Sequence, residues 1–122
     1  MCIRDRDTQL ELHEGDFRDV EYDNIGKHNV YFFDGPHEEQ DQYDGLALAL
    51  PALDDEFILI IDDWNDPRPR DGTLRAIEEL GIEVKYSMQI RTSNGVDIVY
   101  PTPHVLENSL WHNGYYFAVC KK

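Results

Sequence analysis

Cysteine is nearly absent from this chain, with Cys2 and Cys120 the only thiols among 122 residues. Two thiols so placed give no disulfide framework, and a reducing compartment such as the cytoplasm fits that usage. Long apolar runs are missing too. No stretch approaches the roughly 18 residues of a membrane span, and no secretory signal is read in the sequence, so no membrane partner is expected. Positive charge is scarce: 11 Lys and Arg stand against 25 Asp and Glu, a formal net charge of −14. Nucleic-acid binding draws its affinity from Lys and Arg on phosphates, so that partner class is excluded as well. The acidity otherwise bears on solubility more than on chemistry. There is no internal repeat and no low-complexity tract. What remains fits one domain of modest size, or part of a larger one.

The first six residues, "MCIRDR" (Met1 to Arg6), resemble a translated sequencing-adaptor end and are set aside from fold reasoning. Removing their two arginines and one aspartate leaves nine basic and 24 acidic residues, about −15. Residues 7–122 are then expected to be the C-terminal part of a domain whose beginning lies upstream.

Five β-like segments stand out. "LELHEG" (Leu10 to Gly15) alternates apolar and polar residues. "VYFFDG" (Val30 to Gly35) and "FILIID" (Phe57 to Asp62) are near-continuous apolar runs, as suits strands covered on both faces. "VKYSMQIRT" (Val84 to Thr92) and "YYFAVCKK" (Tyr115 to Lys122) alternate again, as edge or antiparallel strands do. Two helical patterns lie between them. From Glu38 to Leu53, the residues Tyr43, Leu46, Ala47, Leu50 and Leu53 recur at helical spacing, with Pro51 set to kink or end the helix. From about Asp66 to Leu80, the stripe is Leu74, Ile77 and Leu80; Asp66 and Pro67 read as N-cap and N1, and Gly81 as the stop. The alternation predicts an α/β fold with a mostly parallel sheet and right-handed crossovers. A long polar segment, Ser93 to Gly114, separates the last two strands; a loop of that length is either disordered or functional, often a lid.

The chemistry concentrates at strand ends. Ligands of parallel sheets bind beyond the carboxyl ends of the strands. Asp34 ends one apolar strand, and Asp62 and Asp63 end the next. Three carboxylates at one edge repel each other unless something cationic lies between them, and a hard divalent cation such as Mg²⁺ takes such oxygens. The competing expectation is that Asp34 and Asp62 merely cap turns while Asp63 faces solvent. Receiver domains place an acidic pair early and a lone Asp later, the reverse of the order here. Haloacid-dehalogenase-like phosphatases need two Asp one residue apart, which Asp34-Gly35-Pro36 does not supply.

From Leu10 to Lys122 the chain resembles the C-terminal half to two-thirds of a class I S-adenosylmethionine-dependent methyltransferase, nearest the catechol-type and small-molecule O-methyltransferases. The likeness lies in "EGDF" (Glu14 to Phe17), "FFDGPH" (Phe32 to His37) and "LPALDDEFILIIDDW" (Leu50 to Trp64). It implies a partial Rossmann-like sheet, mostly parallel with an antiparallel last strand, with helices on its faces. It also implies S-adenosylmethionine as cofactor, a small-molecule acceptor methylated on oxygen, and roles for particular residues. Asp16 would read the adenine amino group with Phe17 beside it, Asp34 would line the cofactor site, and Asp34, Asp62 and Asp63 would hold Mg²⁺. Asp55-Glu56 stands where the family has Gly-Gly, and the Gly-rich loop and the ribose-gripping acid would lie upstream of Asp7. A non-enzymatic acidic interaction module stays open as the alternative.

His37 follows Asp34 and could serve as general base or orient a substrate hydroxyl, an imidazole being suited to proton transfer near neutrality. As a residue at a helix start it could equally be inert. Trp111 and His112, before the last strand, would line an acceptor pocket or simply pack on the sheet. His13, His28 and His104 read as surface residues, with no spacing for a two-His metal site. Apolar surface left uncovered on a fragment predicts self-association into a homo-oligomer.

Overall fold

A computed structural model describes residues 10–91 and 113–122. Strand β1 (His28–Phe33) leads through helix α1 (Glu39–Ala49) and a 3₁₀ turn (Leu50–Ala52) into β2 (Leu53–Asp62). Helix α2 (Pro67–Glu79), β3 (Glu83–Ile90) and β4 (Tyr115–Lys121) follow. The sheet is four-stranded, open and mixed, in the order β1-β2-β4-β3. β1 runs parallel to β2, and β4 runs antiparallel to both β2 and β3. Three strands therefore point one way, with the antiparallel β4 inserted among them. The predicted α/β class and the antiparallel last strand are both present.

Local chemistry explains the helix ends. Asp66 caps α2 by accepting from the Arg68 N–H at 2.9 Å, with Pro67 at the start of the helix. At the other end Gly81 takes φ 68°, and the Ile82 N–H reaches back to the Ile77 carbonyl at 3.0 Å. The Gly81 N–H meets the Glu78 carbonyl at 3.3 Å, completing the two-bond stop that a left-handed residue permits. Pro51 ends α1 as predicted, by tightening its last turn into the 3₁₀ form.

The apolar stripe of α2 is built differently from the expectation. Its buried residues are Pro69, Gly72, Thr73, Ala76 and Ile77, whereas Leu74 is exposed. Small side chains let α1 and α2 pack together: a Cβ on Gly72 would run into the Glu39 backbone carbonyl and crowd Gln42. The pair then covers a core of Leu46, Ala49, Ala76 and Ile77 against Phe33, Phe57, Leu59, Ile61, Tyr116, Ala118 and Cys120. Both crossovers advance in the same direction across the sheet, so both helices lie on one face.

That arrangement corrects two expectations. The apolar runs of β1 and β2 are not covered on both faces: Val30, Phe32 and Ile58 point away from the helices and are exposed. Cross-strand pairing sets them in rows, Val30 beside Ile58, Val119 and Tyr86, and Phe32 beside Ile60, Phe117 and Met88. Helices therefore occupy one face of the sheet, not both.

Two further segments differ from their predicted structure. Leu10 to Gly15 forms no strand; it is irregular and exposed, because alternation alone cannot hold a strand that has no pairing partner. Asp55 and Glu56 do not form a turn. They lie inside β2, where Glu56 pairs with Lys121 across the ladder and forms an ion pair with Lys85, and the Asp55 carbonyl accepts the Lys122 N–H at 2.8 Å. β1 likewise starts at His28, two residues earlier than its apolar run suggested, with a register irregularity before Val30.

Candidate metal centre

Asp34 follows β1 directly and Asp62 is the last residue of β2, so the parallel pairing Phe33 to Ile61 delivers both to the same edge of the sheet. Asp63 comes next, and in a continuing strand its side chain would point to the opposite face from Asp62. It does not continue. Asp63 adopts φ 60°, the left-handed conformation that Asp visits more readily than most residues, and its N–H donates to Asp62 Oδ1 at 2.7 Å. The chain reverses there, with the Asp66 N–H reaching the Asp63 carbonyl at 3.1 Å. Among the described residues, Asp34, Asp62 and Asp63 offer one carboxylate oxygen each, all within 4.8 Å of one another.

This donor set suits a hard cation. Oxygens bound to Mg²⁺ at about 2.1 Å stand roughly 3 Å apart when adjacent, so the three carboxylates would draw closer together on an ion. The electrostatics agree. Burial first, and then the negative charges of Asp63 and Asp34, push the Asp62 carboxyl up to about 6, against the opposing effect of the Asp63 N–H. A divalent ion would relieve that repulsion.

His37 stands over the cluster. Its Nε2 lies 2.8 Å from Asp63 Oδ2, and its Nδ1 lies 3.9 Å from Asp66 Oδ2. Asp66 is buried and also accepts from the Arg68 guanidinium, which reaches on to Glu38 at 2.9 Å. Burial opposes ionisation of Asp66, but its hydrogen bonds from Arg68 prevail and hold the carboxyl below its ordinary value. The acid edge therefore carries an ordered hydrogen-bonding surround, with His37 between Asp63 and Asp66.

The start of β4 closes the other side. Tyr115 pairs directly with Asp62, and its phenol is pushed up by burial and then by the negative charges of Asp62, Asp34 and Asp63. Trp64 is fully buried, stacks on Tyr116 with ring centroids 4.3 Å apart, and donates from Nε1 to Gln89 at 2.8 Å. Backbone bonds from Trp64 to the Gly114 carbonyl (3.3 Å) and from Asn65 to the Asn113 carbonyl (2.7 Å) pin the entry of β4 to the turn after the acids. Gly114 sits at φ 85°, where a Cβ would strike the Ile90 carbonyl, so only glycine lets the strands approach this closely.

Sequence reasoning placed the three acids and His37 at this edge, and the structure brings them together. It missed Tyr115 and Asp66: the first becomes visible only once β4 is known to pair with β2, and the second had been read as a helix cap alone. Asp16 and Phe17 are not among the clustered acids; they belong to a 3₁₀ turn (Phe17–Asp19) that Asp16 caps by accepting the Arg18 N–H at 2.9 Å. The Phe17 ring meets Phe33 edge-on at 5.3 Å and carries the Arg18 guanidinium 4.4 Å from its centroid. Arg18 in turn ties this turn to α1 through Asp41 and Asp44. Both proposed nucleoside contacts are thus engaged within the chain. His13 pairs with Glu11 at 3.5 Å and His28 with the Ile25 carbonyl at 2.9 Å; neither belongs to the carboxylate group. Trp111, His112, His104 and most of the predicted lid, residues 93–112, lie outside the described residues.

No protein-family model matches the chain, and the curated proteins include no match to it. No helix among the described residues is long and apolar enough to cross a membrane.

Proposed function

We propose that this chain is the acceptor-side part of a Rossmann-like, S-adenosylmethionine-dependent methyltransferase that carries a methyl group to an oxygen of a small molecule, in a cytoplasmic setting. The observation that carries the reading is the convergence of Asp34, Asp62 and Asp63 at the carboxyl edge of two parallel strands, beside the start of an antiparallel fourth. The three acids would hold Mg²⁺, whose contribution is to lower the acceptor hydroxyl's pKa and fix its position. His37, with Nε2 on Asp63 and Nδ1 facing Asp66, would serve as general base or orient the acceptor hydroxyl beside these acids. Tyr115 screens the acids from the open side of the sheet. Asp16, Phe17 and Asp34 would contribute to the cofactor site.

Calorimetric titration of the chain with Mg²⁺ or Mn²⁺ tests the metal. Binding that disappears in both Asp62→Asn and Asp34→Asn is the expected result; binding that survives both overturns it. S-adenosylhomocysteine should bind this chain no better than weakly, because its sequence holds no G-x-G-x-G loop for close backbone approach to the cofactor. In the full-length protein, Asp62→Asn should slow transfer more than it weakens cofactor binding. Full activity after exhaustive chelation would leave His37 handling the proton and the acids structural.

One set of observations favours the other reading, an acidic interaction module. Asp62 accepts the next residue's N–H, and Asp66 and Asp16 each cap a helical turn, so several of these acids already have structural work. Absence of any metal response in calorimetry, together with absence of methyl transfer by the full-length protein, would decide for it.

A further inference from the structure

Asp66 does more than its place at the start of α2 requires. An N-cap needs one side-chain oxygen, and Asp66 Oδ1 supplies it to the Arg68 N–H at 2.9 Å. Ser, Thr or Asn would cap as well without carrying a charge out of water. Asp66 is a carboxylate with only 3 % of its surface exposed, and its second oxygen is engaged too. Oδ2 accepts from Arg68 Nη2 at 2.7 Å and from Nε at 3.1 Å, and lies 3.9 Å from His37 Nδ1.

These contacts close into a circuit. The Arg68 guanidinium reaches from Asp66 to Glu38 at 2.9 Å, and Glu38 is the residue after His37. The segment from Asp34 to Glu38, which joins β1 to α1, is therefore tied to the start of α2 through both His37 and Glu38. A further tie comes from α1, where the buried Gln42 donates from Nε2 to the Pro36 carbonyl at 2.7 Å. Held on each side in this way, the His37 ring meets Asp63 Oδ2 with its Nε2 at 2.8 Å. Asp63 is the acid that gains most from such a hold. Asp62 belongs to β2 and Asp34 directly follows β1, whereas Asp63 stands beyond the strand end in left-handed backbone. A bond to one of its oxygens fixes the rotation of the carboxylate, and with it the way Asp63 faces Asp34 and Asp62.

We propose that Asp66 and Arg68 are positioning residues that hold the His37 imidazole on Asp63, and that through this bond His37 orients Asp63 to take a divalent cation together with Asp34 and Asp62. The proposal rests on the reading of those three acids as a metal centre, and it adds residues that never touch the ion. It gives the start of α2 a part in metal binding that capping alone would not.

Calorimetric titration of the whole chain with Mg²⁺, at one fixed pH and well below the melting temperature of each variant, tests it. His37→Ala should weaken binding about 10–100-fold, the usual cost of losing a partner that orients a metal-binding group. His37→Gln, whose amide can donate close to where Nε2 does, should recover most of that loss. Asp66→Asn keeps the cap but loses the charge that holds Arg68, and should weaken binding roughly threefold or more. Added to His37→Ala it should change little, because both act through one imidazole. A merely structural Asp66 would lower the melting temperature and leave the Mg²⁺ affinity of the folded chain unchanged. Should Asp66→Asn fail to fold, Arg68→Gln takes its place with the same expectation. Wild-type affinity in His37→Ala, or in the variant at Asp66 or Arg68, overturns the proposal and leaves the metal centre standing. So does a His37→Gln chain that binds no better than His37→Ala. A wild-type chain that takes up no Mg²⁺ overturns both.

Discussion

Ile58 and Leu59 are neighbours in β2, are nearly isosteric, and live in different surroundings. Leu59 points into the helix-covered core and is wholly buried, while Ile58 points to the open side. The same alternation runs the length of the strand, so one run of apolar residues serves two purposes. One face of the sheet is held by α1 and α2, and the other is left exposed by the described residues. An apolar run identifies a strand capable of burial on both faces but does not reveal what buries the second face.

The largest expected effect sharpens that contrast. Leu59→Ala should cost about 2–5 kcal/mol in urea unfolding, because it opens a cavity in a packed core. Ile58→Ala, measured under conditions that keep the chain monomeric, should cost less than about 1 kcal/mol. Equal losses would mean that the two faces are equally buried in solution. Next in size is Gly72→Ala, expected to destabilise by roughly 1–3 kcal/mol despite alanine's better helix propensity, because the new methyl group meets the rigid Glu39 carbonyl where the helices cross. A neutral or stabilising result would mean that the helix layer is looser than its packing implies. The smallest effect is a trend with pH. The folded-state value of Asp62, about 6, lies above the roughly 3.9 of an unfolded Asp, so folding favours the protonated acid. Its contribution is fully present below about pH 4 and is lost as pH rises through 6. Melting temperatures of the native chain should therefore fall relative to those of Asp62→Asn between pH 4 and 7. Mg²⁺ should restore the difference at the upper end.

Legibility followed the range of the interaction. The stop at Gly81, the cap at Asp66 and the break at Pro51 were readable because each is settled within one helical turn. The convergence of Asp34 and Asp62 was readable because a parallel crossover of that length sets neighbouring strand ends at one edge. What escaped was non-local. Leu10 to Gly15 has strand-like alternation but no partner, whereas Asp55 and Glu56 look like turn residues and are held in β2 by Lys85, Lys121 and Lys122. The role of Tyr115 depends on β4 pairing with β2, which no local pattern encodes. Asp63 was placed correctly, but its left-handed backbone, which turns its carboxylate towards Asp62, is a response to the Asp62 side chain and the turn beyond it.

The insertion of β4 between β2 and β3 has a consequence for how the molecule is made. Among the described residues β3 has no neighbour in the sheet except β4, and β4 follows it in the chain. While a ribosome is still adding the residues before Tyr115, β1, α1 and β2 can associate, but β3 has nothing to pair with. Assembly of the sheet must await the emergence of Lys121, and closure then joins segments far apart along the chain, which makes it slow. Until then the nascent polypeptide exposes the edges of β2 and β3 together with both rows of apolar side chains, making this interval its most exposed moment for capture by a chaperone or by a neighbouring nascent chain.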